Sequence, residues 1–251
     1  MNIDLSGRVA LVTGATGELG RVIARTLAEC GADIAIHYHR AADRASALQR
    51  DIASNGRRTC IVQADVTRRE DVERMRNEVG RGLGAPDIIV NNAVIQFAWT
   101  SVLEQAAEDY RSQFESCTLH NVFMAQAFVP SMIAKKRGRI IAINTECALQ
   151  CYPGQSAYAA GKRGMDGVLR VLAREIGEHG ITVNQVAPGW MVSESRPEEG
   201  RPESYRGKVP LKRFGNEQDI ANAVAFLASD LAGFITGVYL PVCGGNVMPA
   251  I

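Results

Sequence analysis

Apolar positions along the chain follow two rhythms that take turns. Arg8 to Thr13 (RVALVT) is a short apolar run of the kind a buried strand presents. From Arg21 to Cys30, Val22, Ile23, Thr26, Leu27 and Cys30 recur at helical spacing, so a helix follows the strand. Further strands are predicted at Asp33–Tyr38, Thr59–Gln63, Asp87–Val90, Arg139–Asn144, Thr182–Val186 and Val238–Val242, with helical patterns between most of them. Strand alternating with helix predicts a parallel sheet covered by helices on both faces. No internal repeat, low-complexity tract or linker interrupts the pattern. The least regular stretch, Trp190 to Val209, is rich in Glu, Arg, Pro and Gly. A loop there lies over the carboxyl ends of the strands, where ligands bind in such sheets.

The length of 251 residues suits one α/β domain spanning 1–251 and is ample for a sizeable core. The formal charge of +1 points to neither nucleic acid nor an anionic membrane as a partner. No apolar run is long enough to cross a bilayer. The opening MNIDLSGRVA lacks the basic-then-apolar pattern of a secretory signal. The six cysteines are scattered, so a reduced, cytoplasmic protein is expected rather than a disulfide scaffold. Cys147 and Cys151 have no Cys/His set to complete a zinc pattern, and no metal is expected. His37 and His39 flank Tyr38 at a strand end and His179 lies in a polar turn; none suggests a metal site.

Tyr158-Ala159-Ala160-Gly161-Lys162 places a phenol and an ammonium four residues apart, on one face of a helix. A free tyrosine titrates near pH ~10, too high for an efficient proton donor at neutral pH. A lysine cation beside it favours the phenolate, so the pair is a candidate acid/base for a ketone or an alcohol. Gly14-Ala15-Thr16-Gly17-Glu18-Leu19-Gly20 sits between the first strand and the first helix. Glycines there allow a tight turn and close backbone approach, and free N–H groups at the helix start favour a diphosphate.

The turn and the Tyr/Lys pair together resemble the short-chain dehydrogenase/reductase family, and the resemblance covers nearly the whole chain. Asp65-Val66, Asn91-Asn92-Ala93, Gly138 to Thr145, Asn184 to Gly189, Arg213-Phe214-Gly215, Asp219-Ile220-Ala221 and Thr236-Gly237 through Gly244-Gly245 match in order. The resemblance implies a Rossmann-type, doubly wound, seven-stranded parallel sheet in a single domain. It implies a dinucleotide held by Gly14, Thr16, Gly17, Glu18, Leu19 and Gly20. Tyr38, His39, Arg40, Asp65 and Val66 would serve the adenosine end. Asn92, Ala93, Lys162, Pro188, Gly189, Met191 and Ser193 would serve the nicotinamide end. Residues 190–209 would form a substrate lid. At the second strand's end, where an NAD site carries an acid, stand Tyr38, His39 and Arg40. Asp33 opens that strand and Asp43 lies further along the loop. Arg40 can pair with the 2′-phosphate of NADP. NADP(H) is therefore expected in preference to NAD(H), which stays possible.

Several positions depart from the family. TGATGELG looks like the TGxxGxxG turn of the extended branch, with Glu18 where the short form has glycine. A carboxylate near a diphosphate is unfavourable unless it points away or pairs with a cation. Of the family's Asn, Ser, Tyr, Lys set, Tyr158 and Lys162 are intact, Thr145 holds the serine place and Thr118 the asparagine place. Threonine keeps a hydroxyl for the substrate oxygen, while Thr118 has fewer bonding options than the amide that holds a relay water. Thr118→Asn is expected to restore that group. Asn121, three residues later, points to a neighbouring spot. Val94 and Cys243 replace a family glycine and aspartate, and Ser193 stands where a threonine commonly holds the nicotinamide amide.

Three functions follow from this set. The first is an NADP(H)-dependent oxidoreductase interconverting a small-molecule carbonyl and a secondary alcohol, with Tyr158, Lys162, Thr145 and Thr118 as its catalytic set. The second is a catalytically weak cofactor-binding sensor or scaffold, and the third an eliminating or isomerising member. Gln96, Phe97, Trp99, Cys147, Leu149, Tyr152, Trp190 and Met191 fall at family positions near the substrate and suggest a fairly apolar pocket. Apolar side chains in Val122–Met132 and Val238–Ile251 predict a homo-oligomer, a tetramer by resemblance.

Overall fold

Strand β1 (Val9–Val12) lies in the middle of the sheet and α1 (Glu18–Glu29) follows it, in a computed structural model that describes residues 2–195 and 197–249. Then come β2 (Asp33–Tyr38), α2 (Ala42–Ser54), β3 (Thr59–Gln63), α3 (Arg69–Gly82) and β4 (Ile88–Asn91). The second half adds α4 (Ala107–Gln113), which runs through a π-helical turn (Phe114–Leu119) into α5 (His120–Lys135), and then β5 (Gly138–Ile143). It ends with α6 (Cys147–Gln150), α7 (Ser156–Ile176), β6 (Ile181–Pro188), α8 (Glu203–Lys208), α9 (Glu217–Ala228) and β7 (Tyr239–Val242). The strands form one seven-stranded parallel sheet in the order β3-β2-β1-β4-β5-β6-β7. The direction of travel reverses between β1 and β4, which leaves a crevice at their carboxyl ends. This is the doubly wound, Rossmann-like single domain that the resemblance implies.

Strand periodicity divides the core between the two faces. Ala10, Val12, Ile34 and Ile36 point one way, onto Ile23 and Leu27 of α1, Leu48 and Ile52 of α2 and Ile220 and Val224 of α9. Val9 and Leu11 point the other way, onto Val72 and Met75 of α3, Met124 and Phe128 of α5 and Met165 and Leu169 of α7. Burial on both faces explains the nearly unbroken apolar strands.

The predicted boundaries shift at the carboxyl ends, where the site lies. α1 begins at Glu18 rather than Arg21, because Gly17 N–H closes on Gly14 O at 3.0 Å and makes Gly17 the cap. β6 runs two residues beyond Val186, since Ala187 and Pro188 pair with Pro241 and Val242 of β7. The stretch 190–209, expected to be irregular, carries α8 near its end. Among the described residues no helix is long and apolar enough to cross a membrane.

Candidate active site

The glycine turn is held from behind by β2 and β4. Asn92 Nδ2 donates to Thr13 O (2.9 Å) and Gly14 O (3.2 Å), while Thr13 Oγ1 accepts from the N–H groups of Asn92 (2.9 Å) and Ala93 (3.1 Å). Asn92 and Ala93 thus brace the turn. Gly14 has φ +63°, a left-handed conformation that glycine adopts without strain. Its N–H donates to His37 Nδ1 at 2.9 Å, and the other ring nitrogen of His37 lies 3.0 Å from Ala64 O. Nδ1 is therefore the acceptor and Nε2–H the donor, a neutral ring. Burial pushes the His37 pKa down to about 4. His37, which the sequence did not single out, is part of the turn's foundation.

Close approach is forced at Gly20, where a Cβ would sit 2.2 Å from Gly14 O. No side chain caps α1 at Gly17, so its first N–H groups face the crevice, beside Thr16, Gly17 and Leu19. These features fit a diphosphate. Glu18, at the same helix start, is engaged elsewhere: its carboxylate accepts from Ser193 Oγ (2.5 Å) and Ser195 N–H (3.2 Å). Ser193 is accordingly bound to Glu18. Arg21, one turn later, pairs with Glu194 at 2.6 Å.

At the other end of the crevice, Tyr38 closes β2 and His39 and Arg40 are exposed. Asp65 accepts from Thr67 N–H (3.0 Å) and Thr67 Oγ1 (2.7 Å), and His39 Nε2 lies 3.9 Å away. Burial works to raise the Asp65 pKa, but the Thr67 hydrogen bonds and His39 outweigh it and hold it below the ordinary value. Val66 is buried beneath.

α7 carries Tyr158 and Lys162 on one face, as the spacing predicts. Lys162 is buried, its Nζ donates to Ile143 O at 2.6 Å and lies 5.7 Å from the Tyr158 ring centroid. The Trp99 indole stacks on the same phenol, centroids 5.8 Å apart at 27°. The expected lowering of the tyrosine pKa is not what this arrangement produces. Burial, with the Cys117 and Cys147 thiols close by, pushes the Tyr158 phenol up, and the Thr145 hydroxyl opposes this only in part. The ammonium donates to the Ile143 carbonyl and lies over the phenol ring.

Thr145 follows β5, its Oγ1 accepts from Cys147 N–H at 3.2 Å, and its carbonyl receives the Tyr239 hydroxyl. Thr118 sits in the π-helical turn, and its Oγ1 donates to Gly161 O at 3.0 Å. A Cβ on Gly164 would lie 2.7 Å from that oxygen, so Thr118 fills a tight seam against α7. The structure therefore places Thr118 in packing, turned toward the α7 backbone. Asn121 is engaged too, with Cys117 O (2.7 Å) and Asn91 Nδ2 (2.7 Å).

Pro188 ends β6, Gly189 follows, and Met191 bridges to Gly215. A Cβ on Gly189 would lie 2.8 Å from both Cys243 Cβ and Tyr205 Oη. Tyr205 Oη donates to the buried Glu146 (2.6 Å), a carboxyl whose pKa is raised by burial. Glu146, Tyr205 and Asn246 were not singled out in the sequence. The one signal for them was an acid directly after the predicted catalytic hydroxyl, where the strand pattern is apolar. Among the described residues no group of three or more His, Cys, Asp or Glu is placed to hold a metal ion.

The pattern of the family described as enoyl-(acyl carrier protein) reductase matches residues 14–246. The 3-oxoacyl-[acyl-carrier-protein] reductase of Staphylococcus epidermidis is 38% identical over 242 residues, covering 95% of this chain and 98% of the relative. That of Pseudomonas aeruginosa is 36% identical over 249 residues, covering 98% of this chain and 100% of the relative. A dehydrogenase/reductase from Sinorhizobium meliloti superposes with a TM-score of 0.89 at 33% identity, over 98% of both chains. The sheet order agrees with the structural likeness, which covers 98% of the chain. The chain belongs to the short-chain dehydrogenase/reductase family, oxidoreductases that act on C=O and CH–OH groups.

Proposed function

We propose that this protein is an NADP(H)-dependent reductase that converts the ketone of a 3-oxoacyl thioester to a secondary alcohol. The observation that carries the reading is the meeting of Tyr158, Thr145 and buried Lys162 at the carboxyl ends of the strands, beside a glycine turn open toward the same crevice. The substrate class rests on the 3-oxoacyl reductases at 36–38% identity.

The N–H groups at the start of α1 would hold the diphosphate, with Asp65 and Val66 at the adenine and Pro188, Gly189 and Met191 beside the nicotinamide. Arg40 and His39, exposed just past the end of β2 where the sequence carries no acid, favour a 2′-phosphate. When bound, the nicotinamide supplies the hydride. Thr145 Oγ donates a hydrogen bond to the substrate carbonyl and orients it. The Tyr158 hydroxyl gives its proton to the developing alkoxide. Burial raises the phenol's pKa and makes it a weaker acid, so the Lys162 charge would be what eases the phenolate left behind.

Exposed Phe234, Leu231, Val171 and Phe114 support a homo-oligomer, in keeping with a tetramer. Six free cysteines support a reducing, cytoplasmic setting. The 190–209 stretch, tied to the rim of the crevice through Glu18 and Tyr205, supports the lid assignment. The test is NADPH oxidation with acetoacetyl-coenzyme A, wild type against Tyr158→Phe. The variant is expected to lose about 10²–10⁴-fold in rate. Full activity in Tyr158→Phe, or no turnover of any carbonyl in a broad screen while NADPH binds, would move the assignment to a cofactor-binding scaffold.

A further inference from the structure

Glu146 follows Thr145 directly and is only 3% exposed. One carboxylate oxygen accepts from Tyr205 Oη at 2.6 Å and the other from Asn246 Nδ2 at 3.0 Å. The Tyr205 oxygen in turn accepts the N–H of Trp190 at 2.7 Å. Its ring is gripped on both sides, stacked on Phe214 (5.5 Å, 9°) and edge-on to Trp190 (5.2 Å, 81°). Glu146 N–H donates to Pro188 O at 2.9 Å. Four parts of the chain thus converge on one acid: the end of β5 that carries Thr145, the end of β6, α8, and the segment after β7.

Burying a carboxylate costs free energy that an apolar residue of similar size would not incur. A purely structural contact between α8 and the sheet would be served more cheaply by packing. The carboxylate does something packing does not: two oxygens fix Tyr205 and Asn246 in direction, and Tyr205 passes that direction to the Trp190 backbone. Trp190 is 43% exposed and begins the 190–209 stretch.

We propose that Glu146 is a positioning residue for the substrate: it latches Tyr205, and through it Trp190, across the mouth of the Tyr158 pocket. This rests on the reductase reading for the identity of the substrate, while the latch rests on the hydrogen bonds alone. Glu146 acts on substrate affinity and leaves the chemical step to Tyr158 and Thr145. Glutamine keeps an oxygen for the Tyr205 hydroxyl, and its NH2 donates to Asn246 Oδ1 once that amide turns over, so Glu146→Gln preserves the latch; Glu146→Ala and Tyr205→Phe break it from opposite sides.

The experiment measures acetoacetyl-coenzyme A turnover with NADPH, NADPH affinity by fluorescence, and hydrogen exchange of peptides covering Trp190 and Tyr205. Glu146→Ala and Tyr205→Phe should each raise KM about tenfold, with kcat and NADPH affinity within about threefold of wild type. Amides around Trp190 should exchange faster in both variants. Glu146→Gln should stay close to wild type in every readout. The proposal is overturned if KM is unchanged in Ala and Phe variants, if kcat falls at constant KM, or if exchange near Trp190 is unaltered. Because Tyr205→Phe leaves Glu146 in place, it decides the matter should Glu146→Ala fail to fold. A wild-type protein that turns over no carbonyl sinks the reductase reading by itself, and hydrogen exchange then decides the latch.

Discussion

Gly20→Ala should separate cofactor binding from the rest of the fold. The added Cβ would meet Gly14 O at 2.2 Å and Asn92 Nδ2 at 2.9 Å. The first is at least about 1 Å inside ordinary contact. Gly14 O cannot retreat, since it accepts from Gly17 N–H at 3.0 Å and Asn92 Nδ2 at 3.2 Å. α1 must move instead, and its buried face of Ile23, Ala24, Leu27 and Ala28 resists. Overpacking of this kind costs about 1–3 kcal/mol, and alanine's better helix propensity returns at most about 1 kcal/mol. A net loss near 1–2 kcal/mol lowers Tm by about 2–8 °C in a chain of this size. NADPH binding should suffer more, because the N–H groups for the diphosphate move with α1. Each hydrogen bond lost to a charged ligand is worth about 1.5–3 kcal/mol, so affinity should fall about 10–100-fold. Gly17→Ala is the control: its Cβ meets one atom, Gly14 O at 3.3 Å, in extended backbone any residue adopts (φ −75°, ψ 168°). Thermal melts and fluorescence titrations of both variants check this. Wild-type affinity and Tm in Gly20→Ala, with losses in Gly17→Ala, would refute it.

Arg40→Ala should weaken NADPH about 3–10-fold, discounted for solvent exposure, and leave NADH unchanged in the same titration; equal effects on both cofactors would remove the 2′-phosphate role. Thr118→Asn should lower Tm rather than raise turnover, because the seam against Gly161 and Gly164 leaves no room for a longer side chain, at about 1–3 kcal/mol; a faster enzyme of unchanged Tm would restore the relay expectation. His37 has a folded pKa of about 4 against an ordinary 6.5. Its contribution to stability is therefore present above pH 6.5 and is lost as pH falls toward 4, by up to about 3 kcal/mol. His37→Gln should flatten that slope in urea melts taken across this window, and an unaltered slope would count against His37 as the neutral acceptor for Gly14.

Most of the sheet was legible because burial on both faces leaves a local signature. Val9 and Leu11 alternate with Ala10 and Val12, and each set has its own helices to meet. The glycine turn was legible for a similar reason: backbone conformation and close approach limit which residues fit, as at Gly14 and Gly20. What spacing conveys is which face a side chain shares, and it stops there. Tyr158 and Lys162 do share a face, but the direction of the ammonium depends on Ile143 O, a β5 carbonyl nineteen residues away from Lys162. That the Thr118 hydroxyl bonds Gly161 O could not be read from spacing, since the approach of α7 is a tertiary fact. Glu146 and Tyr205 lie 59 residues apart, and no local pattern joins them.

Glu18 shows how a departure that weakens a site in one dimension is absorbed in three. A carboxylate at the start of α1 is favourable to the helix itself, because it sits at the positive end of the dipole. The same charge repels a diphosphate at that place. Both statements hold if the carboxylate is drawn outward, and Ser193 and Ser195 draw it toward the segment after β6. Arg21, paired with Glu194 one residue away, adds a cation on the same side. The helix keeps its favourable acid while the N–H groups keep their opening to the crevice. It follows that the chain after β6 is tied down at two places by carboxylates, at Ser193–Ser195 through Glu18 and at Tyr205 through Glu146. The first tie lies at the start of α1 and the second beside Thr145. On the proposed reading, cofactor and substrate would meet different ends of this segment, and loosening one end should be felt by one ligand before the other.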